Sequence, residues 1–475
     1  METPTSPGGS LGRSFAGASE PAFPEADGGD RYLPSDGPAT LHPPLSTFRA
    51  RRERLLSALG DAVAVVPAAA VMHRSRDTES PFRQDSDFYY LTGFGEPDAL
   101  AVLTPHDEEH RFTLFVRPRD LEREVWSGKR AGEAGAREHF AADAAYPLEE
   151  LEERLPELVK PADRIVYPLG RSPELDDRML EIFGTLRTGR PRSGQGPIGL
   201  HDLEAALAPL RLSKDRWELE RIRAAAGLSA RGQLAAAGAV GPGVGEWEVA
   251  AALEGVFRRA GGVPAFPSIV GSGPNATVLH YVANDRRLQA DELVLVDAGA
   301  ELGMYAGDIT RTYPVSGRFT AAQRALYEVV LAAEEAAIAE VRPGTPNTRV
   351  HEAAVRTLVD GMLDLGILRG DADTIIEEEE YKPFFMHRTS HWLGLDVHDV
   401  GQYREGDADV ELGPGMALTV EPGIYVAPEA EGAPDEFRGV GIRIEDDVLV
   451  TADGHEVLTR DVPVEPDEVE ALVRG

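Results

Sequence analysis

Leu293-Val294-Leu295-Val296-Asp297-Ala298-Gly299-Ala300-Glu301-Leu302-Gly303-Met304-Tyr305-Ala306-Gly307-Asp308 is the stretch on which the fold turns. Four apolar, β-favouring residues run straight into an aspartate, and a second aspartate follows a segment rich in small residues. Such a run reads as a buried strand, and Leu302-Gly303 reads as the centre of a two-residue hairpin turn. With that turn Glu301 faces Met304, Gly299 faces Ala306, and Asp297 and Asp308 stand directly opposite each other on one face of the ribbon. Facing like charges cost about 0.2–1 kcal/mol in a sheet and more when desolvated, so the pair calls for a cation or a shared proton.

The same pattern recurs downstream. Met416–Val420 and Gly441–Ile444 are short β-favouring runs, and each ends on an acid, Glu421 and Glu445. Glu421 opens a strand through Ile424-Tyr425-Val426 and Glu445 closes one, with Pro434 in the loop between them, so these strands are expected to be antiparallel neighbours. One acid at a strand end is ordinarily a solvated terminus; four in this arrangement suit a hard divalent cation. Met386-His387-Arg388-Thr389-Ser390-His391-Trp392-Leu393-Gly394-Leu395-Asp396-Val397-His398 adds three histidines in a chain that has 12 in all. Imidazole supplies both metal ligands and proton shuttles. His387 and His391 share the spacing of a helical zinc pair, but no Glu follows His387 and Gly394 disfavours a long helix, so a helical zinc-protease site is a poor fit.

The rest of the chain bounds the answer. Its 475 residues suggest two domains, and 42% hydrophobic with 27% charged residues is the balance of a globular protein. Lys plus Arg number 48 against 81 Asp plus Glu, a formal charge of −33, which repels phosphate backbones and anionic lipid: neither nucleic acid nor a membrane is an expected partner. There are no cysteines, which excludes disulfides, thiolate ligands and a cysteine nucleophile. No run of 18 apolar residues and no signal-peptide pattern is apparent, and the cytoplasm is the expected compartment.

Residues 1–44, rich in Gly, Pro, Ser and Ala, read as a disordered tail. A basic helix over Phe48–Leu59 and a strand over Ala62–Val66 then open a mixed α/β domain spanning 45–210, with further strands at Leu100–Leu103 and Phe112–Val116 and a helix over Leu148–Leu155. The Gly-, Pro- and Arg-dense stretch 187–197 reads as a loop near its end. A second domain, 211–475, begins with a long helix capped by Ser213.

These residues resemble aminopeptidase P, a proline-specific member of the pita-bread metallopeptidases. The resemblance spans about residues 47–472 and rests on the ordered set Asp297, Asp308, His391, Glu421 and Glu445, on Tyr305–Thr312, on Gly439–Asp446, and on Arg83–Phe94 in the first domain. It implies an α/β (α+β) architecture with a C-terminal pita-bread catalytic domain of two similar halves. It implies an Xaa-Pro aminopeptidase, which hydrolyses the bond between an N-terminal residue and a following proline through a hydroxide bridging two divalent metals. Asp297 would bind one metal, His391 and Glu421 the other, and Asp308 and Glu445 would bridge them. Mn2+ suits the oxygen-rich set, with Co2+ or Zn2+ able to occupy it. Glu421 would serve as general base, His398 and His387 would stabilise the oxyanion, His280 would line the substrate pocket, and Arg443 and Tyr425 would brace the site. A homodimer or homotetramer is implied as well. Arg388-Thr389-Ser390 departs from the Gly-Leu-Ser type of sequence common among relatives, and Tyr89 stands where some carry a tryptophan that shapes a neighbouring subunit's pocket.

Prolidase, which shares the metal set but takes dipeptides only, is the nearest rival, and tripeptide hydrolysis separates the two. A non-catalytic binding module and a metal-free creatinase-type amidinohydrolase both fit poorly, because retaining all five ligands without a metal costs stability through repulsion and desolvation.

Overall fold

The computed structural model describes residues 43–474. The tail expected over 1–44 lies almost entirely outside them. The first domain is built on a six-stranded mixed sheet: β1 (Ala62–Pro67), β2 (Leu100–Leu103), β3 (Phe112–Val116), β4 (Ala144–Pro147), β5 (Arg164–Tyr167) and β6 (Gly199–Asp202). Their order across the sheet is β4-β3-β2-β1-β5-β6. β1, β2 and β3 are buried along their length, as strands covered on both faces should be. Alternation sorts them between two cores. Val63 and Val65 pack with Leu155, Val159, Leu175 and Met179, whereas Ala64 and Val66 pack with Phe48, Leu55 and Phe88. That second core does not stop at the domain edge: Ile222, Tyr305, Leu393, Leu395 and Ala417 of the C-terminal part belong to it.

The C-terminal part falls into two α/β halves, as the resemblance implied. The first half has helices Arg216–Ala239 and Glu246–Arg259 and an antiparallel sheet of β7 (Ile269–Ser272), β8 (Leu293–Asp297) and β9 (Thr310–Pro314). The second has helices Ala321–Ala339 and Thr348–Asp364 and the strands β10 (Ala417–Val420), β11 (Gly423–Val426), β12 (Val440–Arg443) and β13 (Asp446–Val450). Among the described residues no helix is long and apolar enough to cross a membrane.

Four local expectations need correction. The hairpin turn is centred on Gly303-Met304, both in the left-handed region (φ 60° and 75°), so Leu302 pairs with Tyr305 and Asp297 pairs with Thr310 rather than Asp308. Left-handed φ at both central residues is what a tight hairpin needs, and a methionine there gives no sequence signal. Residues 187–193 are helical, the end of helix Pro173–Ser193; Pro191 sits in the last turn and Gly194 (φ 71°) caps it. The long helix is capped by Asp215, not Ser213, in a capping box with Glu218. Tyr89 is 4% exposed and packs edge-on against Phe48, so it cannot reach another subunit.

Candidate metal centre

The strands β8 and β9 bring the first two acids together. Because the turn moved by one residue, the register slid by two and the faces were kept: Asp308 is a diagonal neighbour of Asp297 on the same side of the ribbon. The crossing is tight. A Cβ on Gly299 would lie 1.7 Å from the Gly307 carbonyl oxygen, so only glycine allows the two segments to approach this closely.

The second half supplies a direct pair. Val420 pairs with Asp446 and Gly423 with Arg443, and the same register carried through the gap sets Glu421 opposite Glu445. The expectation of antiparallel neighbours holds. His391 comes from an irregular segment, as Gly394 suggested, fixed by an isolated bridge between Trp392 and Leu418. Its Nδ1 is hydrogen-bonded to the Trp392 carbonyl at 3.1 Å, which turns Nε2 toward Asp308 Oδ2 and Glu421 Oε1, both 3.5 Å away.

All five residues line one cavity of about 500 Å³, together with His280, His387, His398 and Arg443. Asp308, His391 and Glu445 hold ligand atoms within 4.8 Å of one another. Asp297 Oδ1 and Asp308 Oδ1 are buried without a hydrogen-bond partner. Burial, and then the charges of Asp297 and Asp447, push the Asp308 carboxyl well above its ordinary range. Burial followed by Asp308 and Glu421 does the same to Glu445, and burial also raises Glu421. Orphaned oxygens and crowded, desolvated carboxylates are what a bound divalent cation relieves, so the residues fit such a group. The donor set is oxygen-rich with one imidazole and suits borderline to hard divalent cations.

A chain of hydrogen bonds stiffens one wall. Arg443 donates to Asp297 Oδ2 at 2.5 Å, to Thr310 Oγ1 at 3.0 Å and to the Tyr425 hydroxyl at 2.9 Å. The Thr310 hydroxyl passes on to Glu445 Oε2 at 2.6 Å. Tyr425 is 2.8 Å from His387 Nε2, while His387 Nδ1 donates to the Arg388 carbonyl at 2.8 Å. Burial and the Arg443 charge push His387 down to about 3, so its ring is neutral. Both its nitrogens are engaged. His398, by contrast, has no hydrogen-bond partner on its ring among the described residues; it lies edge-on to His391 with ring centres 4.3 Å apart.

Three supports were invisible beforehand. Asp447 accepts the Asp308 backbone N–H at 3.1 Å. Thr419 receives the His391 N–H at 3.2 Å. Asp399, beside His398, is held by Arg211 and Lys214, residues 185 or more positions away. Distant ion pairs leave no local pattern in the sequence.

Paired carboxylates and an imidazole gathered at the meeting of two similar α/β halves define a metal-dependent peptidase of the pita-bread class. Comparison with known proteins agrees. Residues 220–452 match Metallopeptidase family M24, and residues 48–167 match Aminopeptidase P, N-terminal domain. The chain is 41% identical over 429 residues to the Xaa-Pro aminopeptidase of Escherichia coli (strain K12), covering 90% of this chain and 97% of that protein. It superposes on Pseudomonas aeruginosa aminopeptidase PepP with a TM-score of 0.88 at 45% identity, covering 91% and 99% of the two chains. It superposes on the E. coli aminopeptidase P with the inhibitor Pro-Leu with a TM-score of 0.86 at 41% identity, again covering 91% and 99%. The chain belongs to the aminopeptidase P family of these metallopeptidases.

Proposed function

We propose that this cleft removes the first residue from peptides with proline in second position, as an Xaa-Pro aminopeptidase. The observation that carries this reading is the cluster of Asp297, Asp308, His391, Glu421 and Glu445 lining one open cleft, in a chain whose relatives of near-equal length bear that name. Two divalent cations, Mn2+ in our reading with Co2+ or Zn2+ as substitutes, would be held by these five side chains and would supply Lewis acidity toward the scissile carbonyl and acidify water there.

The chain's own groups do the rest. The carboxylates receive the peptide's cationic amine end. Glu421 takes a proton from the attacking water and delivers it to the proline nitrogen as the C–N bond breaks. His398, with a free ring edge on the cavity, donates to the carbonyl oxygen as it gains charge. His280 and His387 shape the pocket around the substrate, and Arg443 and Tyr425 keep Asp297 and His387 in place. The assignments of Asp297 to one cation, His391 and Glu421 to the other, and Asp308 and Glu445 to both follow the likeness to the family.

We place the boundary of the N-terminal domain near residue 211 and the activity in the cytoplasm. A homodimer or homotetramer is supported by helix Leu121–Ser127, whose Leu121, Val125 and Trp126 are 74%, 82% and 90% exposed; a face this apolar rarely stays in water. The test is release of the N-terminal residue by metal-stripped protein with and without added Mn2+. Mn2+-dependent cleavage of Xaa-Pro-Xaa tripeptides is expected; cleavage of Xaa-Pro dipeptides alone would mean a prolidase, and no cleavage of either would overturn the peptidase reading.

A further inference from the structure

A second cavity, of about 340 Å³, adjoins the catalytic one. The two share only Arg388, Ser390 and His391 in their walls. Three arginines line the pair of cavities, and two are occupied. Arg443 is buried and bonded to Asp297, and Arg404 pairs with Asp409 at 3.3 Å. Arg388 is exposed, and no salt bridge to it is found among the described residues. In a chain with 81 acidic and 48 basic residues, a cation at the junction of two cavities with no carboxylate partner is unusual. The remaining wall of the second cavity carries Asn347, Thr348, His351 and Tyr403 on a largely apolar surface that includes Trp392.

We propose that Arg388 is a specificity-determining residue that binds a carboxylate on the leaving-group side of the peptide, with the second cavity taking the residue after proline. This rests on the peptidase reading above. Charge sets the polarity: the amine end goes to the acidic cluster, and the chain runs outward past the scissile bond. An extended peptide advances roughly 3.3–3.6 Å per residue, which puts the terminal carboxylate of a tripeptide about 7 Å beyond the scissile carbonyl. Arg388 is rooted next to His387 and three residues before His391, on the segment that separates the cavities, so its guanidinium is placed for that group. A planar guanidinium is suited to holding a carboxylate in two parallel hydrogen bonds. The carboxylate has two sources, the C-terminus of a tripeptide or an acidic side chain in the third position.

Both sources are tested with four Mn2+-supported substrates, Xaa-Pro-Ala as free acid and as amide, and Xaa-Pro-Glu-amide and Xaa-Pro-Gln-amide, on wild type, Arg388→Gly and Arg388→Lys. In at least one of the two pairs the wild type should have KM about tenfold lower for the carboxylate member than for its neutral partner, the size of one charge-assisted hydrogen bond partly open to water. Arg388→Gly should abolish that preference with kcat unchanged, while neutral substrates are unaffected and Arg388→Lys keeps part of it. The acid–amide pair responding alone assigns the site to the C-terminus, and the Glu–Gln pair responding alone assigns it to the side chain. Equal KM for acid and neutral partners in the wild type, or a preference that survives in Arg388→Gly, would overturn the proposal. A wild type that cleaves none of the four would instead overturn the peptidase reading, and the subsite with it.

Discussion

Arg211 reaches across the molecule to Asp399: its guanidinium donates to Asp399 Oδ1 at 2.5 Å and, through its other nitrogen, to Asp87 Oδ1 at 2.6 Å. Asp87 belongs to the N-terminal domain and Asp399 follows His398, so one buried arginine ties the first domain to the loop that presents His398 to the cavity. Lys214 adds a bond to Asp399 Oδ2 at 3.0 Å. Removing the shared acid leaves buried Lys214 without a carboxylate and takes one of three from Arg211, which keeps Asp87 and Asp396, at a cost of about 3–5 kcal/mol. Asp399→Asn is therefore expected to lower the denaturant midpoint markedly and to reduce kcat more than KM, because His398 loses its anchor; chemical denaturation and steady-state kinetics check both.

The same acid sets a pH dependence. Burial alone would raise the Asp399 carboxyl, but the charges of Lys214 and Arg211 outweigh it and hold the group below its ordinary value. A depressed folded pKa gives stability that is present above the unfolded value, about 3.9, and is lost as pH falls through the folded one. The stability gap between wild type and Asp399→Asn should be widest near neutrality and shrink below about pH 4. A gap that stays constant from pH 7 to pH 3 would remove Asp399 as its source.

Occupancy of the metal centre should be visible without turnover. Asp308, Glu421 and Glu445 repel one another when ionised in a desolvated cavity, so cation binding stabilises the native state by mass action. Mn2+ should raise the unfolding temperature and a chelator should lower it. Glu445→Gln should blunt the rise. Glu421→Ala should stay folded but lose both a ligand and the base, and near-normal turnover would sink that assignment.

His398→Ala should cut kcat by roughly 10²–10⁴-fold with metal content unchanged, the usual worth of a proton-transfer or oxyanion group. An unchanged rate reduces His398 to packing.

Gly299→Ala tests the crossing between the first two acids. Its new Cβ would drive against the Gly307 carbonyl, spreading the segments that carry Asp297 and Asp308. Titration calorimetry should show weakened Mn2+ affinity in a protein whose circular dichroism is near normal.

Much of the site was legible because its residues are placed by local pattern. Asp297, Glu421 and Glu445 sit at the ends of aliphatic runs, and His391 sits in a histidine-rich segment, so type and spacing were enough. What escaped was set by tertiary context. Met304 occupies a left-handed turn position no rule assigns to methionine, which moved the hairpin register. Pro191 and its flanking arginines looked like a loop, yet a helix already 18 residues long at that point carries a proline in its last turn. Asp215 outcompeted Ser213 as a cap because Glu218 completes the reciprocal pair and Arg51 of the first domain binds it at 3.0 Å. The Arg211–Asp399 tie joins residues far apart in the chain and has no signature in either neighbourhood.

Tyr305 lies between Asp297 and Asp308 along the chain and Leu393 lies two residues after His391, and both are packed into the same core as Phe88 and Leu91 of the N-terminal domain. The two domains therefore share one core, and a cation held by the carboxylates would stiffen a sheet that never touches it. Amide hydrogen exchange in β1 and β2 should slow when the centre is filled, which makes the non-catalytic domain a gauge of whether the catalytic one is loaded.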